Sequence, residues 1–480
     1  MSESLKAKTL KALAWNAVQR YGTLFVNFFA NLYIARQLTP DDYGVVGIMM
    51  VFVAVAATIS DSGFPSALVQ KKDTTQTDYC TAFFWNIAIG LLLYAAIFLA
   101  APLVADYFDN PLFIPVLRLQ GVIIIVNAFG SVQISRLSKT LQFKVLAIRS
   151  LIAAIVGTAI GVGLVACGYG IWGLVWQAIV TSGVSVVLLW SIARWRPQML
   201  FSWSAFRQMF GFGSYIFVSN ICNTLYTNVQ SFIIGKAFSV RDLGYYSQAQ
   251  KLEQVPAEGT SSVLAQVLFP VYASIADDRG RHIDAVRKNM KVISFVTFPL
   301  MMLLIIVAFP LIRLMLTDKW IQSIPMFQIL CIVGMFTPVN VANTEIFRSI
   351  GAGKIYFILQ TLKRVVGLVF IFASVPFGLY PFLWAIATMS IVTYAMNLYC
   401  TSRYFGYKCS DQLRDILPNL LLTLSVGGIT ALAMQLFEGW PDIVQVLVAT
   451  TLYGALFLLT AVALRMKTIG IVRSLLSRHN

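Results

Sequence analysis

The feature that most constrains this chain is a succession of apolar runs, each about as long as a bilayer is thick. A hydrocarbon core of about 30 Å takes roughly 20 residues of helix. Fourteen such runs can be read along the 480 residues, from 14–35 at one end to 443–464 at the other. The eighth, 244–274, is the least apolar. Within hydrocarbon every backbone N–H and C=O must find a partner inside its own segment, so runs of this length are helices. The expectation is an all-α integral membrane protein with fourteen transmembrane helices. Composition agrees: 58% of residues are hydrophobic and 12% are charged. A soluble domain carries about 25% charge. A water-soluble enzyme, a disulfide-built scaffold and a disordered chain are thereby excluded.

Minor residues remove further classes. The six cysteines form no CxxC pair, and the two histidines have no ligand at useful spacing, so no metal centre or cofactor is expected. No GxxxxGK[ST] stretch occurs, so no Walker-type ATPase is expected. The formal charge of +16 comes from 36 Lys+Arg against 20 Asp+Glu. Fourteen spans put both termini on one side. The loops of that side hold 28 basic residues, the opposite loops hold 5, and 3 fall within spans. By the positive-inside rule the termini are cytoplasmic, and the charge records orientation rather than nucleic-acid binding. Residues 2–12 form a basic stretch that leads straight into the first span and reads as a surface segment, not a cleaved signal. The outward loops are too short to carry a catalytic domain, so no enzyme is expected.

The chain repeats itself. ARQLTPDDYG at 35–44 returns as GKAFSVRDLG at 235–244, and YGIWGLVW at 169–176 as FGLYPFLW at 377–384. Gly63-Phe64-Pro65 returns as Leu268-Phe269-Pro270, and Pro115 as Pro325. Six helices per copy is an even number, so the copies share one orientation, a parallel repeat. This divides the chain into an N-lobe, 1–208, a C-lobe, 209–403, and an appendage of two helices and tail, 404–480. The repeated loop has a local explanation, because Thr39 before Pro40, with Asp42 three residues on, is a helix N-cap. Ser239 with Asp242 offers the same cap. The functional alternative is an outer gate built from Arg36, Asp42, Arg241 and Asp242.

Polar residues fall in stripes. In the first span Asn16, Arg20, Thr23, Asn27 and Asn31 lie three or four apart, on one helix face. In the seventh, Asn220, Thr224, Thr227 and Ser231 repeat the pattern. In the eighth, Ser247, Lys251, Gln254, Glu258 and Ser261 form another. Such faces are costly against lipid and suit a polar substrate path. Arg20 and Lys251 would attract an anionic group, and the uncharged members suit hydroxyl-rich groups. Arg20, Thr23, Asn27, Asn31, Thr224, Thr227, Ser247, Lys251 and Gln254 are the candidate lining. Glu258, near mid-membrane, is the candidate H⁺ or Na⁺ coupling site.

ARQLTPDDYG, DSGFPSALVQ at 61–70, LGYYSQAQKLEQVP at 243–256 and LFPVYASIADD at 268–278 together resemble the polysaccharide-exporter family. The likeness is to its WzxC-like lipopolysaccharide and colanic-acid exporters, within the multidrug/oligosaccharidyl-lipid/polysaccharide flippase superfamily. The resemblance runs the whole chain. It implies a V-shaped bundle of two six-helix lobes with two extra helices. It also implies alternating-access transfer of an undecaprenyl-pyrophosphate-linked oligosaccharide across a bacterial inner membrane. Arg20 and Lys251 fit the family's basic contacts to pyrophosphate, while Thr224 departs from a symmetric basic cleft. Implied partners are the lipid-linked glycan, membrane lipids, a glycan polymerase and glycosyltransferases. The alternatives within the superfamily are a multidrug or cation antiporter and a lipid II-type flippase.

Overall fold

A computed structural model describes residues 3–193, 195–275, 278–466 and 468–470. Side chains are described there except at 3–14, 212, 258, 260, 262–267, 269, 270 and 273. Among the described residues the chain is helical, with no strand. In order the α-helices are α1 (Glu3–Gln37), α2 (Pro40–Asp61), α3 (Phe64–Gln70), α4 (Gln76–Tyr107), α5 (Phe113–Lys139), α6 (Phe143–Ala166), α7 (Trp172–Ile192), α8 (Trp203–Ile233), α9 (Val240–Ser274), α10 (Arg279–Ile306), α11 (Ala308–Leu316), α12 (Ser323–Ser349), α13 (Gly353–Ser374), α14 (Leu379–Cys400), α15 (Cys409–Met434) and α16 (Asp442–Ala463). Among the described residues eleven segments are long and apolar enough to cross a membrane, so the protein is a multi-pass membrane protein. Three equally long helices, α1, α8 and α9, are not among the eleven. They are the helices that carry the polar stripes.

Helix starts follow the cap chemistry in the sequence. Thr39 accepts from the Asp42 backbone N–H, and Asp42 accepts from the Thr39 backbone N–H at 3.0 Å, a reciprocal capping box. Thr75 and Asp78 repeat it at α4, where Lys71 also pairs with Asp78 at 2.8 Å. Asp61 ends α2, as its place in the sequence suggests. The break to α3 runs through Ser62 and Gly63, both at positive φ.

The chain forms two compact units, Met1–Gly244 and Tyr245–Asn480. This boundary lies beyond the lobe boundary read from the repeat, because α8 packs along α2 and α3 within the first unit. The Thr58 and Thr224 hydroxyls meet at 2.9 Å there. A Cβ on Gly63 would lie 2.2 Å from the Gly213 carbonyl oxygen, so the close approach of α3 to α8 depends on a residue without a side chain. In the same unit α6 packs on α1 and α7, and α5 on α4 and α7. An aromatic core joins Phe64, Phe83, Trp195 and Phe206, with Phe64 and Phe206 edge to face at 5.6 Å.

In the second unit α12 packs on α10 and α14, α13 on α14, and α15 on α10 and α16. One buried carboxylate fastens α15 to α10. Asp415 of α15 receives Arg287 at 2.8 Å, Lys291 at 3.0 Å and the Tyr407 hydroxyl at 2.7 Å. Burial and this carboxylate push the Tyr407 phenol up, which keeps it a donor. Asn419 adds a bond to Ser294 at 2.7 Å.

Among the basic residues counted with the cytoplasmic loops, two are buried inside helices. Arg149 is in α6 and Lys363 in α13, and both are buried. The positive-inside excess is correspondingly smaller and keeps its sign. Both fall within the apolar runs at 146–167 and 355–375, so they do not belong in the loop tally.

The clamp gives a stability prediction. Asp415→Ala leaves two cations facing each other without their carboxylate and is expected to cost about 3 kcal/mol or more. Arg281→Ala removes an exposed pair with Asp278 and is expected to cost under ~1 kcal/mol. Unfolding of the purified protein in detergent measures both, and equal losses would contradict the assignment.

Candidate functional site

The polar stripes separate on inspection into residues absorbed by packing and residues left exposed. In α1, Gln19 turns to α6 and donates to the Ser150 hydroxyl at 3.0 Å. Arg20 and Asn27 are exposed. Thr23 folds its hydroxyl back on the Gln19 carbonyl at 2.7 Å, a common resting place for a threonine in a helix. Asn31 accepts from the Tyr43 hydroxyl at 3.2 Å and ties α1 to α2. In α8, Asn220 and Thr227 are exposed, and Thr224 is spent on the seam with Thr58. In α9, Lys251 is exposed while Ser247 and Gln254 are half-buried. The side chain of Glu258 lies outside the described residues.

The repeated loop places two helix starts against each other. A Cβ on Gly44 of α2 would lie 1.8 Å from the Val240 carbonyl oxygen, and a Cβ on Gly244 of α9 would lie 1.8 Å from that of Pro40. The contact is reciprocal, each glycine seating the other helix's first carbonyl. Among the described contacts Asp42 and Asp242 take no part in pairing across it. Both are used by their own caps, Asp42 with Thr39 and Asp242 with Ser239 at 2.6 Å. The carboxylate that faces Arg241 is Asp41, at 3.9 Å between two exposed side chains. The local cap satisfies the N3 acid first and leaves its neighbour to reach outward. Arg36 is exposed nearby in sequence.

Sequence reasoning missed three buried groups. Arg149 lines a cavity of about 360 Å³ among α2, α5, α6 and α7, together with Asp61, Asn127 and Ser131. Its Nε has no partner among the described residues, and its terminal nitrogen donates to Ser150 at 3.3 Å. Lys363 lines a second cavity, among α12, α13 and α14. Glu253 of α9 is buried, with Oε1 where a Cβ on Gly334 would stand 2.5 Å away. The signal for Arg149 and Lys363 was present, a cation four or more residues inside a helix. For Glu253 it was not, since that residue lies one position off the stripe.

With this geometry described, comparison with known proteins places the chain. A family model described as polysaccharide biosynthesis protein matches residues 33–325. The chain belongs to that family. It is 26% identical over 343 residues to the lipopolysaccharide biosynthesis protein WzxC of Escherichia coli, covering 70% of this chain and 69% of that one. It is 26% identical to the succinoglycan biosynthesis transport protein ExoT of Rhizobium meliloti, covering 76% and 74%. Among solved structures it is similar to the lipid II flippase MurJ in an inward closed conformation. The TM-score is 0.73 at 16% identity, over 94% of this chain and 99% of that one. It is also similar to an inward-facing multidrug transporter of the MATE family, TM-score 0.62 at 16% identity, over 84% and 99%. The fold is that of the multidrug/oligosaccharidyl-lipid/polysaccharide superfamily. The resemblance read from ARQLTPDDYG and its companions is borne out.

The crossing of α2 and α9 gives the second prediction. Alanine normally outperforms glycine inside a helix by about 0.5–1 kcal/mol. Gly428→Ala in α15, where an added Cβ meets nothing within 4 Å, is expected to follow that rule. Gly44→Ala and Gly244→Ala are expected to do the opposite. Each must push two backbones apart, and a loss of about 1–3 kcal/mol is expected. Thermal unfolding of the three variants decides it, and a stabilised Gly44→Ala would refute the crossing.

Proposed function

We propose that this protein is a flippase that carries a lipid-linked oligosaccharide across the bacterial inner membrane by alternating access, with both termini cytoplasmic. The cargo is an undecaprenyl-pyrophosphate-linked unit of O-antigen, capsule or exopolysaccharide. The observation that carries the reading is the division among the long helices. Among the described residues, eleven segments have the apolarity of lipid-embedded spans, and α1, α8 and α9 are not among them. In our reading these three also cross the membrane, for fourteen spans in all, and tolerate their polarity because they border the substrate path. A charge in hydrocarbon costs about 2.5–3.5 kcal/mol on insertion scales, so exposed Arg20 and Lys251 are retained where they meet something other than lipid.

Chemistry assigns the roles. Lys251 lies about 16 Å along α9 from Val240, at 1.5 Å per residue, deep enough to meet a headgroup in transit. Its ammonium and the Arg20 guanidinium attract pyrophosphate, more strongly in a narrow polar path than in bulk water. Thr23, Asn27, Asn31, Thr224, Thr227, Ser247 and Gln254 offer neutral donors and acceptors for sugar hydroxyls. Of these, Asn27 and Thr227 are the best placed, since their side chains are exposed rather than spent on a neighbouring helix. The lipid tail stays in the bilayer.

The reciprocal crossing at Gly44 and Gly244 is the closed outer gate of this cycle, latched by Asp41 and Arg241. An exposed pair contributes at most about 1 kcal/mol, weak enough to open in each turnover. An H⁺ or Na⁺ gradient acting at Glu258 drives net movement. Glycosyltransferases before transfer and a glycan polymerase after it are the partners.

Lys251→Ala is expected to abolish export while the protein still inserts, with lipid-linked glycan accumulating in cells that carry only this variant. Arg20→Ala is expected to reduce export less, because Arg20 lies closer to the helix end and to water. Glu258→Gln is expected to remove the dependence of transport on the ion gradient in proteoliposomes. Normal export by Lys251→Ala would overturn the role given to it.

A further inference from the structure

The second unit holds a polar cavity of about 490 Å³ among α12, α13 and α14 that the stripes do not include. This is within the roughly 300–1,000 Å³ range of small-molecule sites. Its chemistry is unusual for a gap between membrane helices. Lys363 lines it and is only 7% exposed. The ammonium donates to Asn397 Oδ1 at 2.6 Å. Asn397 passes its own N–H to Asn340 Oδ1 at 2.8 Å, and Asn340 donates to the Ser390 carbonyl at 3.2 Å. This one-way relay fixes Lys363 in place and uses one of its three N–H groups.

Glu345 of α12 lines the same cavity and is 4% exposed. Oε1 accepts from Arg348 at 2.8 Å, and buried Oε2 has no partner among the described residues. The hydroxyls of Thr337, Thr344 and Ser390 each donate to a carbonyl of their own helix, so toward the cavity they offer lone pairs. A lining of this kind needs an occupant that donates and accepts at several neighbouring atoms. A small anion would satisfy Lys363 and be repelled by Glu345. A metal ion would meet the reverse. A hydroxyl group does both, donating to a carboxylate oxygen while accepting from an ammonium. Tyr356 at the wall adds an aromatic surface for the C–H face of a ring.

We propose that this cavity is a subsite for one uncharged sugar ring, whose hydroxyls are met by the Lys363 ammonium and the Glu345 carboxylate in its lining. Choosing a sugar over another polyol rests on the glycan-export reading; the balance of donors and acceptors does not. The subsite lies along the cytoplasmic half of α12 and takes part in selecting the glycan. A uronic acid is disfavoured there by the Glu345 carboxylate, and an amino sugar by Lys363.

The test uses the purified full-length protein in detergent with methyl glucoside, methyl galactoside, methyl glucuronide and glucosamine at millimolar concentration, read by saturation-transfer NMR. At least one neutral glycoside is expected to give signal, with the uronide and the amine weaker. Lys363→Met and Glu345→Gln are each expected to weaken neutral-glycoside binding about tenfold, the loss of one charge-assisted hydrogen bond. Should either fail to purify as folded protein, Thr393→Val replaces one lining hydroxyl at similar volume and is expected to weaken binding severalfold. Absence of binding by wild type, stronger binding of the uronide, or undiminished binding by the folded variants would overturn the subsite. Export of lipid-linked glycan is measured after the same preparations are reconstituted into proteoliposomes. Export without glycoside binding removes this inference alone, and glycoside binding without export removes the flippase reading alone.

Discussion

The interaction on which this structure depends is the cost of placing a polar group in hydrocarbon. It first forces the backbone into helices, since no other open segment satisfies its own N–H and C=O groups. It then sorts those helices. Eleven segments meet the demand with apolar side chains, whereas α1, α8 and α9 carry Arg20, Asn27, Asn220, Thr227 and Lys251 exposed. The same cost explains the buried polar groups. Asp415 is held by two cations and a phenol, and Lys363 by a chain of two asparagine amides. Each is a place where polarity persists because it is matched, in the first case to fasten two helices and in the second around a cavity.

A second theme is that short-range chemistry is satisfied before long-range chemistry. The repeated loop offers two acids in its first copy. The one at the third helical position, Asp42, folds back onto Thr39, and only Asp41 reaches Arg241. Thr23 and Thr224 show the same competition. One returns its hydroxyl to its own helix, and the other gives it to Thr58. A residue on the right face of a helix is therefore a candidate for a substrate path only after its local partners have been counted. Thr227, like Thr23, returns its hydroxyl to its own helix at the Asn223 carbonyl, and Asn27 and Lys251 are exposed side chains.

Much of the fold was legible from hydropathy alone. Run length gave the helices, the caps at Thr39 and Ser239 gave the starts of two of them, and the motifs at 35–44 and 243–256 gave the family. Less of the candidate site was legible. Periodicity identifies a face but not what covers it. Gln19 and Arg20 are adjacent in sequence, yet one bonds to α6 and the other is exposed. Arg149 and Lys363 were counted as loop charges although they lie within the apolar runs at 146–167 and 355–375, where a hydrogen-bonding neighbour lets a cation sit inside a helix.

By itself the sequence determined that the protein is a multi-pass helical membrane protein, that its two halves echo one another, and which faces of α1, α8 and α9 are polar. These follow from local quantities: the length and period of apolar runs and the cap residues at their ends. Only the tertiary structure decided which polar side chains are consumed by packing, that Asp41 rather than Asp42 meets Arg241, and that Lys363 and Glu345 share a cavity. Those outcomes depend on which helices come within hydrogen-bond distance. That is set by side-chain volumes across whole interfaces, down to two glycines at 44 and 244 that admit a carbonyl where any Cβ would exclude it.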